Sequence, residues 1–174
     1  MNIRRRTLAV TVQLFLSAAY VLTQPRSLHA HDETDGPDAT MMAPVTAIAG
    51  YMAHPRGAVR PDVFVKDGLV IVEDFAPYVF SGKDAAARWD DGFRRHAVPL
   101  SELTFGFGRP HAFERTRDRV YFVLPTTWRG VYKDRRFEEH GAWSFVLKES
   151  AGQWRILAYG WGATDLTDQP AKTR

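Results

Sequence analysis

The chain of 174 residues contains no cysteine. Disulfides, thiolate metal sites and a cysteine nucleophile are therefore excluded. It has no HExxH pattern, and no two histidines stand at i, i+4 spacing, so no metal site is expected. No P-loop is present. Gly106-Phe107-Gly108 lacks both a third glycine and a following helix, so it is not a nucleotide fingerprint. Ser150-Ala151-Gly152 reads as a turn and not as a nucleophile elbow. No apolar run reaches the ~20 residues of a comfortable membrane span. The longest, roughly residues 8–22, is interrupted by Thr11 and Gln13. No internal repeat is found. No cofactor is expected.

What the chain does have begins with an ordered N-terminus. Arg4, Arg5 and Arg6 precede the apolar run, and a polar stretch closes on small Ala30. That order is the order of a secretory signal, so residues 1–30 are expected to be cleaved and the protein periplasmic or secreted. Arg5-Arg6-Thr7 leaves both the general and the twin-arginine export route open. Cleavage also removes the apparent basic character. The formal net charge of +3 counts four arginines in residues 1–30; without them, 19 basic residues face 20 acidic ones, a net charge of −1. A nucleic-acid binder keeps a basic excess on its folded domain, so nucleic acid is not an expected partner. After cleavage no stable membrane insertion is expected either.

Residues 31–43 are acidic, turn-rich and poor in large apolar side chains, and read as a flexible lead-in. A helix is expected from Pro44 to His54, with Val45, Ile48, Ala49 and Met52 on its apolar face and Tyr51 at the edge. Val63, Phe64 and Val65 fit either a short helix or a strand stub. Leu69 to Val72 are four consecutive apolar residues and read as a strand buried on both faces, running into Glu73 and Asp74. Pleating sends neighbours to opposite faces, so one of these two acids must point where apolar side chains point. Residues 81–99 give the clearest helix. Ala85, Trp89, Phe93 and Ala97 form a buried stripe, and Ser81 with Asp84 resembles a capping box. Downstream, alternating runs joined by short turns predict an antiparallel meander of about four strands. Pro125 marks a bulge or an edge position in one of them. The order predicts an α+β domain with helices packed on one face of a curved sheet.

The run "RVYFVLPTTWRGVYKDRRF" and the following "HGAWSFVLKESAGQWRILAYGWG" resemble the nuclear transport factor two-like superfamily, and within it the SnoaL-like branch; "YVFSGKDAAARW" is similar to that family's glycine-led third helix. The resemblance covers residues 44–163 or so. It implies a cone: a strongly bent antiparallel sheet wrapped around N-terminal helices, enclosing a deep apolar pocket. The expected layout is a signal peptide over 1–30, a lead-in over 31–43, a SnoaL-like domain over 44–165 and a C-terminal tail over 166–174. "VEDFAPYVFSG" is also similar to the ketosteroid isomerase segment that carries the general base, which falls here on Asp74. Tyr51 stands near the place of that enzyme's oxyanion tyrosine. The isomerase's second oxyanion donor, a protonated acid, falls on Trp143, which cannot be an acid but can donate through its indole N–H. Family relatives pair Asp with His, and His140 is the candidate for that role. By the same resemblance Glu73 is expected to be exposed.

The candidate catalytic residues are thus Asp74, Tyr51 and His140, and the candidate ligand-binding residues are Trp143, Trp128, Tyr78 and Trp161. A carboxylate taking a proton beside a carbonyl, with a phenol stabilising the enolate oxygen, is a coherent chemistry. Two function classes follow: an exported isomerase or dehydratase acting on a small hydrophobic or carbonyl ligand, and a non-catalytic binding module, with a homodimer formed through the sheet as one use of it.

Overall fold

The structure is a computed structural model that describes residues 36–55 and 62–170. The expected signal peptide, most of the lead-in, part of the loop after the first helix and residues 171–174 lie outside the described residues.

Helix α1 covers Ala39–Ala53. It starts five residues before the expected Pro44. Asp38 is the reason: its Oδ1 accepts from the backbone N–H groups of Thr40 (2.8 Å) and Met41 (3.0 Å), which have no partner within the helix. Pro44 falls inside, where its missing N–H costs one helical hydrogen bond. Early nucleation buries Met41 with Val45, Ile48 and Ala49, so residues 39–43 are helix and not lead-in. Helix α2, Ala85–Ala97, carries the expected stripe, with Trp89 and Phe93 fully buried. The capping box does not form. Asp84 is left-handed (φ 58°) and caps nothing, and Ser81 belongs to a strand.

Seven strands make one sheet: β1 (Val70–Val72), β2 (Val79–Ser81), β3 (Leu100–Phe107), β4 (His111–Arg115), β5 (Arg119–Tyr132), β6 (Arg135–Ser150) and β7 (Gln153–Pro170). The order is β2-β1-β7-β6-β5-β3, with β4 also on β5. Only β1–β7 is parallel. This is the expected α+β class: a mostly antiparallel, curved, unclosed sheet with the helices on one face. Phe64 adds a single parallel bridge to Ile156, which resolves the Val63–Val65 ambiguity towards a strand stub.

The inward face is set by alternation. Phe122, Leu124 and Trp128 on β5, Trp143, Phe145 and Leu147 on β6, and Ile156 and Tyr159 on β7 are all buried. Pro125 sits where β5 changes partner. Gly108 N–H donates to the Pro125 carbonyl at 2.8 Å, between the β3 pairing that ends at Thr126 and the β4 pairing that resumes at Val123. A residue's N–H and C=O share one side of a strand, so the missing donor falls in that gap. Two expectations fail here. Residues 166–170 are not a tail, because β7 stays paired to β6 as far as Pro170 opposite Arg135. And β1 is not buried on both faces: Leu69 and Ile71 are buried while Val70 and Val72 are exposed. The sheet packs on its helices through one face only, so half of any apolar run must face outward.

Candidate functional site

The alternation of β1 continues past its end. Leu69, Ile71, Glu73 and Phe75 all point inward. Glu73 is therefore the acid delivered to the interior, at 4% exposure, and Asp74 is the exposed one. The expectation that Glu73 faces solvent is corrected by this parity. The loop after β1 closes on itself and holds Glu73 in place: Glu73 N–H donates to the Tyr78 carbonyl (2.9 Å) and Tyr78 N–H to the Phe75 carbonyl (2.8 Å).

Glu73 Oε1 accepts from Trp89 Nε1 of α2 at 2.9 Å and from the Tyr159 hydroxyl of β7. Burial pushes its acid up to about 7, against the pull of those two donors, and the nearby charges of Asp74 and Glu139 push the same way. Burial, then Glu73 itself, holds the Tyr159 phenol well above its ordinary value, so it remains a donor.

This carboxyl stands at the wall of a cavity of about 320 Å³. The β1–β2 loop supplies Glu73, Asp74 and Phe75. Helix α2 supplies Phe93 and His96, and α1 supplies Met52. The concave sheet supplies Trp128, Glu139, Trp143 and Trp161. Most of the wall is apolar or aromatic, and the polar groups gather on few positions. Glu139 is inward because it lies opposite Trp128. Burial raises its acid, as does the charge of Asp74, and a hydrogen bond with Trp161 works the other way. Asp168, also in the wall, is paired with Arg135 at 2.9 Å. His96 stacks on Phe75 with ring centroids 4.9 Å apart.

Trp143 is 1% exposed, and its Nε1 is the one buried side-chain polar atom among the described residues without a partner. A buried indole N–H normally has one. Its ring is fixed on all sides, edge-on to Trp128 (5.8 Å), Phe145 (5.3 Å) and Trp161 (5.9 Å). Trp161 in turn lies over Gly141: a Cβ there would come within 2.5 Å of both the Trp161 ring and the Gly162 carbonyl oxygen. Glycine at 141 is what lets this wall close.

Of the candidate residues, Asp74, Trp128, Trp143 and Trp161 are brought to one cavity. Tyr51, His140 and Tyr78 are not among its lining residues. The Tyr51 hydroxyl donates to Asp90, clasping α1 to α2, and burial followed by Asp90 pushes that phenol up to about 12. The pairing of Tyr51 with Asp74 is therefore not made. His140 alternates out of the wall that holds Glu139; its Nε2 lies 2.9 Å from Glu138 and its Nδ1 3.2 Å from the Thr127 hydroxyl. Tyr78 is 59% exposed at the tip of its loop. The residues that sequence reasoning missed are Glu73, Glu139 and His96. Parity required one of Glu73 and Asp74 to point inward but, with Leu69 to Val72 apolar on both faces, did not say which. Among the described residues no group of three or more His, Cys, Asp or Glu side chains could hold a metal ion. Nor is any helix among them long and apolar enough to cross a membrane.

No protein-family model matches the chain, and no curated protein matches it by sequence. Solved structures do match by fold. A type 2 hexachlorocyclohexane dehydrochlorinase superposes with a TM-score of 0.64 at 11% identity, over 78% of this chain and 90% of the other. A scytalone dehydratase-like protein from Novosphingobium aromaticivorans gives 0.59 at 14% identity, over 78% and 93%. A ketosteroid isomerase-like protein from Erwinia carotovora gives 0.57 at 15% identity, over 73% and 95%. The chain has the nuclear transport factor two-like fold that these proteins share, as the resemblance implied.

Proposed function

We propose that the protein is an exported acid–base catalyst whose cavity takes a small, largely apolar carbonyl compound. The observation that carries this reading is a cavity wall in which Asp74 stands with Trp143, a buried indole whose N–H has no partner among the described residues. A dry donor without an acceptor is a cost to the fold unless a ligand oxygen meets it. Asp74 lines the same cavity, is exposed, and makes no ion pair with another described residue. In this reading the Asp74 carboxylate removes a proton from the carbon beside the carbonyl. The Trp143 indole donates to the oxygen as negative charge grows on it. The apolar wall strengthens both interactions by excluding water. The names of the fold neighbours, a dehydrochlorinase, a dehydratase and an isomerase, are those of enzymes, which supports an enzyme over a bare binding module. Export rests on residues 1–30 alone and is tested by fractionating cells that express the full chain.

The catalytic reading is tested without knowing the substrate. The purified protein is incubated in heavy water with a set of cyclic ketones, and deuterium entry beside the carbonyl is followed by mass spectrometry. Exchange is expected in the wild type and about 100-fold slower in Asp74→Asn. Equal exchange rates in the two proteins remove Asp74 as the base.

A second reading has its own observation. Val72, Gly160, Ser144 and Val123 stand side by side across β1, β7, β6 and β5, as do Val70, Ala158, Val146 and Tyr121. Both rows are uncharged, and Val70, Val72 and Tyr121 are exposed. This outer face suits a second copy of the chain. Light scattering should give a dimer mass that Val146→Lys halves; a monomer in the wild type removes the reading.

A further inference from the structure

Two features of the cavity are not used by the reading above. One is the second oxygen of Glu73. Trp89 and Tyr159 both donate to Oε1, which leaves Oε2 for the cavity that Glu73 lines. The other is the company Glu73 keeps. It is faced by Tyr159 from β7, Trp89 from α2, Glu139 from β6 and Asp74 from its own loop. The remaining titratable groups in the cavity wall are His96 of α2, Tyr132 of β5 and Asp168 of β7. No lysine or arginine lines the cavity. A carboxylate in that setting has two neutral donors, two neighbouring acids and no cation. An un-ionised acid keeps both bonds at Oε1 and turns its own hydroxyl towards the cavity. The Trp143 donor is close by: the Tyr159 ring, whose hydroxyl holds Glu73, lies 5.9 Å from the Trp143 ring.

We propose that Glu73 meets the ligand as a hydrogen-bond donor, through the Oε2 hydroxyl of the neutral acid, and that together with Trp143 it selects uncharged ligands bearing an oxygen acceptor. This rests on the cavity being a ligand site. Ionisation of Glu73 replaces a donor with a negative charge facing the ligand oxygen, so affinity scales with the neutral fraction. An anionic ligand is disfavoured by the carboxylates of Asp74 and Glu139 in the same wall. The same apolar body without its oxygen leaves the Trp143 donor and the Glu73 donor unmet, and binds more weakly.

The test uses three probes of similar shape: 1-tetralone, tetralin and 2-naphthoate. Binding to the purified protein is followed by tryptophan fluorescence near pH 6 and near pH 8.5. For the wild type, 1-tetralone should bind best, and about tenfold or more weakly at the higher pH. Glu73→Gln keeps an acceptor for Trp89 and Tyr159 and an N–H₂ donor for the cavity, so its affinity for 1-tetralone should be the same at both pH values. Pairing of 1-tetralone with equal affinity at both pH values in the wild type overturns the role of Glu73 and leaves the cavity reading standing. Equal binding of tetralin and 1-tetralone overturns the selection by donors. Binding of no probe at either pH overturns the cavity reading itself. Infrared spectroscopy of the wild type covers the case in which the variant fails to fold. A protonated carboxyl band present at pH 6 and lost by pH 8.5 is expected; its absence at pH 6 overturns the proposal.

Discussion

Replacing Glu73 by Gln should change how stability depends on pH, in a direction fixed by the structure. The acid titrates near 4.5 when solvated and is raised to about 7 in the folded protein, chiefly by burial. The folded state therefore binds this proton more tightly than the unfolded chain does. The stabilisation is fully present below pH 4.5, falls away as pH rises, and is gone once pH passes about 7. A rise of that size is worth about 3 kcal/mol between the two ends of the window. Glutamine has the shape of the neutral acid, keeps the acceptor at which Trp89 and Tyr159 donate, and cannot ionise. Urea denaturation of both proteins from pH 5 to 8.5 isolates the effect, because every other titrating group is common to the two. The variant should gain on the wild type as pH rises, approaching about 3 kcal/mol at the alkaline end. A difference that stays constant across the range, or one in which the wild type gains with pH, refutes the burial of a neutral Glu73.

Other outcomes follow from the same wall. Trp143→Phe keeps an aromatic side chain but shrinks a fully buried ring and deletes its unpartnered donor, so stability should fall by about 1–3 kcal/mol, from the cavity alone, while 1-tetralone affinity drops roughly tenfold by titration. Gly141→Ala forces a Cβ against Trp161 and the Gly162 carbonyl; thermal unfolding should report a loss of about 1–3 kcal/mol, and near-ultraviolet circular dichroism a displaced tryptophan. Trp89→Phe shrinks a fully buried ring and deletes one of the two donors on Glu73, at a cost of about 2–4 kcal/mol by urea denaturation. The pH midpoint of the Glu73 step in that variant should also move up, since a bond favouring the ionised form is gone. Asp38→Ala should cost about 1 kcal/mol and shorten α1 by circular dichroism.

The helix α2 was legible because its stripe from Ala85 to Phe93 recurs at a clean helical period, and β5, β6 and the start of β7 because short turns separate long alternating runs. The ends were less so. Asp38 makes an N-cap of a residue in an acidic stretch that otherwise reads as unstructured, and it draws Ala39–Ala43 into α1. The end of β7 carries Thr164, Asp165, Thr167 and Asp168, polar residues without a strand signal, and is held by its ladder to β6. The candidate site was half visible. Alternation required one of Glu73 and Asp74 to point inward, but Leu69–Val72 are apolar on both faces, so pattern alone could not say which. The resemblance chose Asp74 for the interior, and the pairing of β1 with β7 delivers Glu73 instead. Asp74 still reaches the cavity, from the loop. Tyr51 failed for a different reason: its distance along α1 suits a pocket, but the hydroxyl is captured by Asp90 of α2, a contact between helices that no local pattern encodes.

The central claim is that the Trp143 indole and the Glu73 acid face one ligand oxygen inside the cavity. Nuclear magnetic resonance of the five tryptophan indole N–H groups during titration with 1-tetralone tests it most directly. The Trp143 signal, assigned through its loss in Trp143→Phe, should move downfield as it gains an acceptor, and should move less when the titration is repeated at pH 8.5. A Trp143 signal that stays in place while the ligand binds would contradict the account.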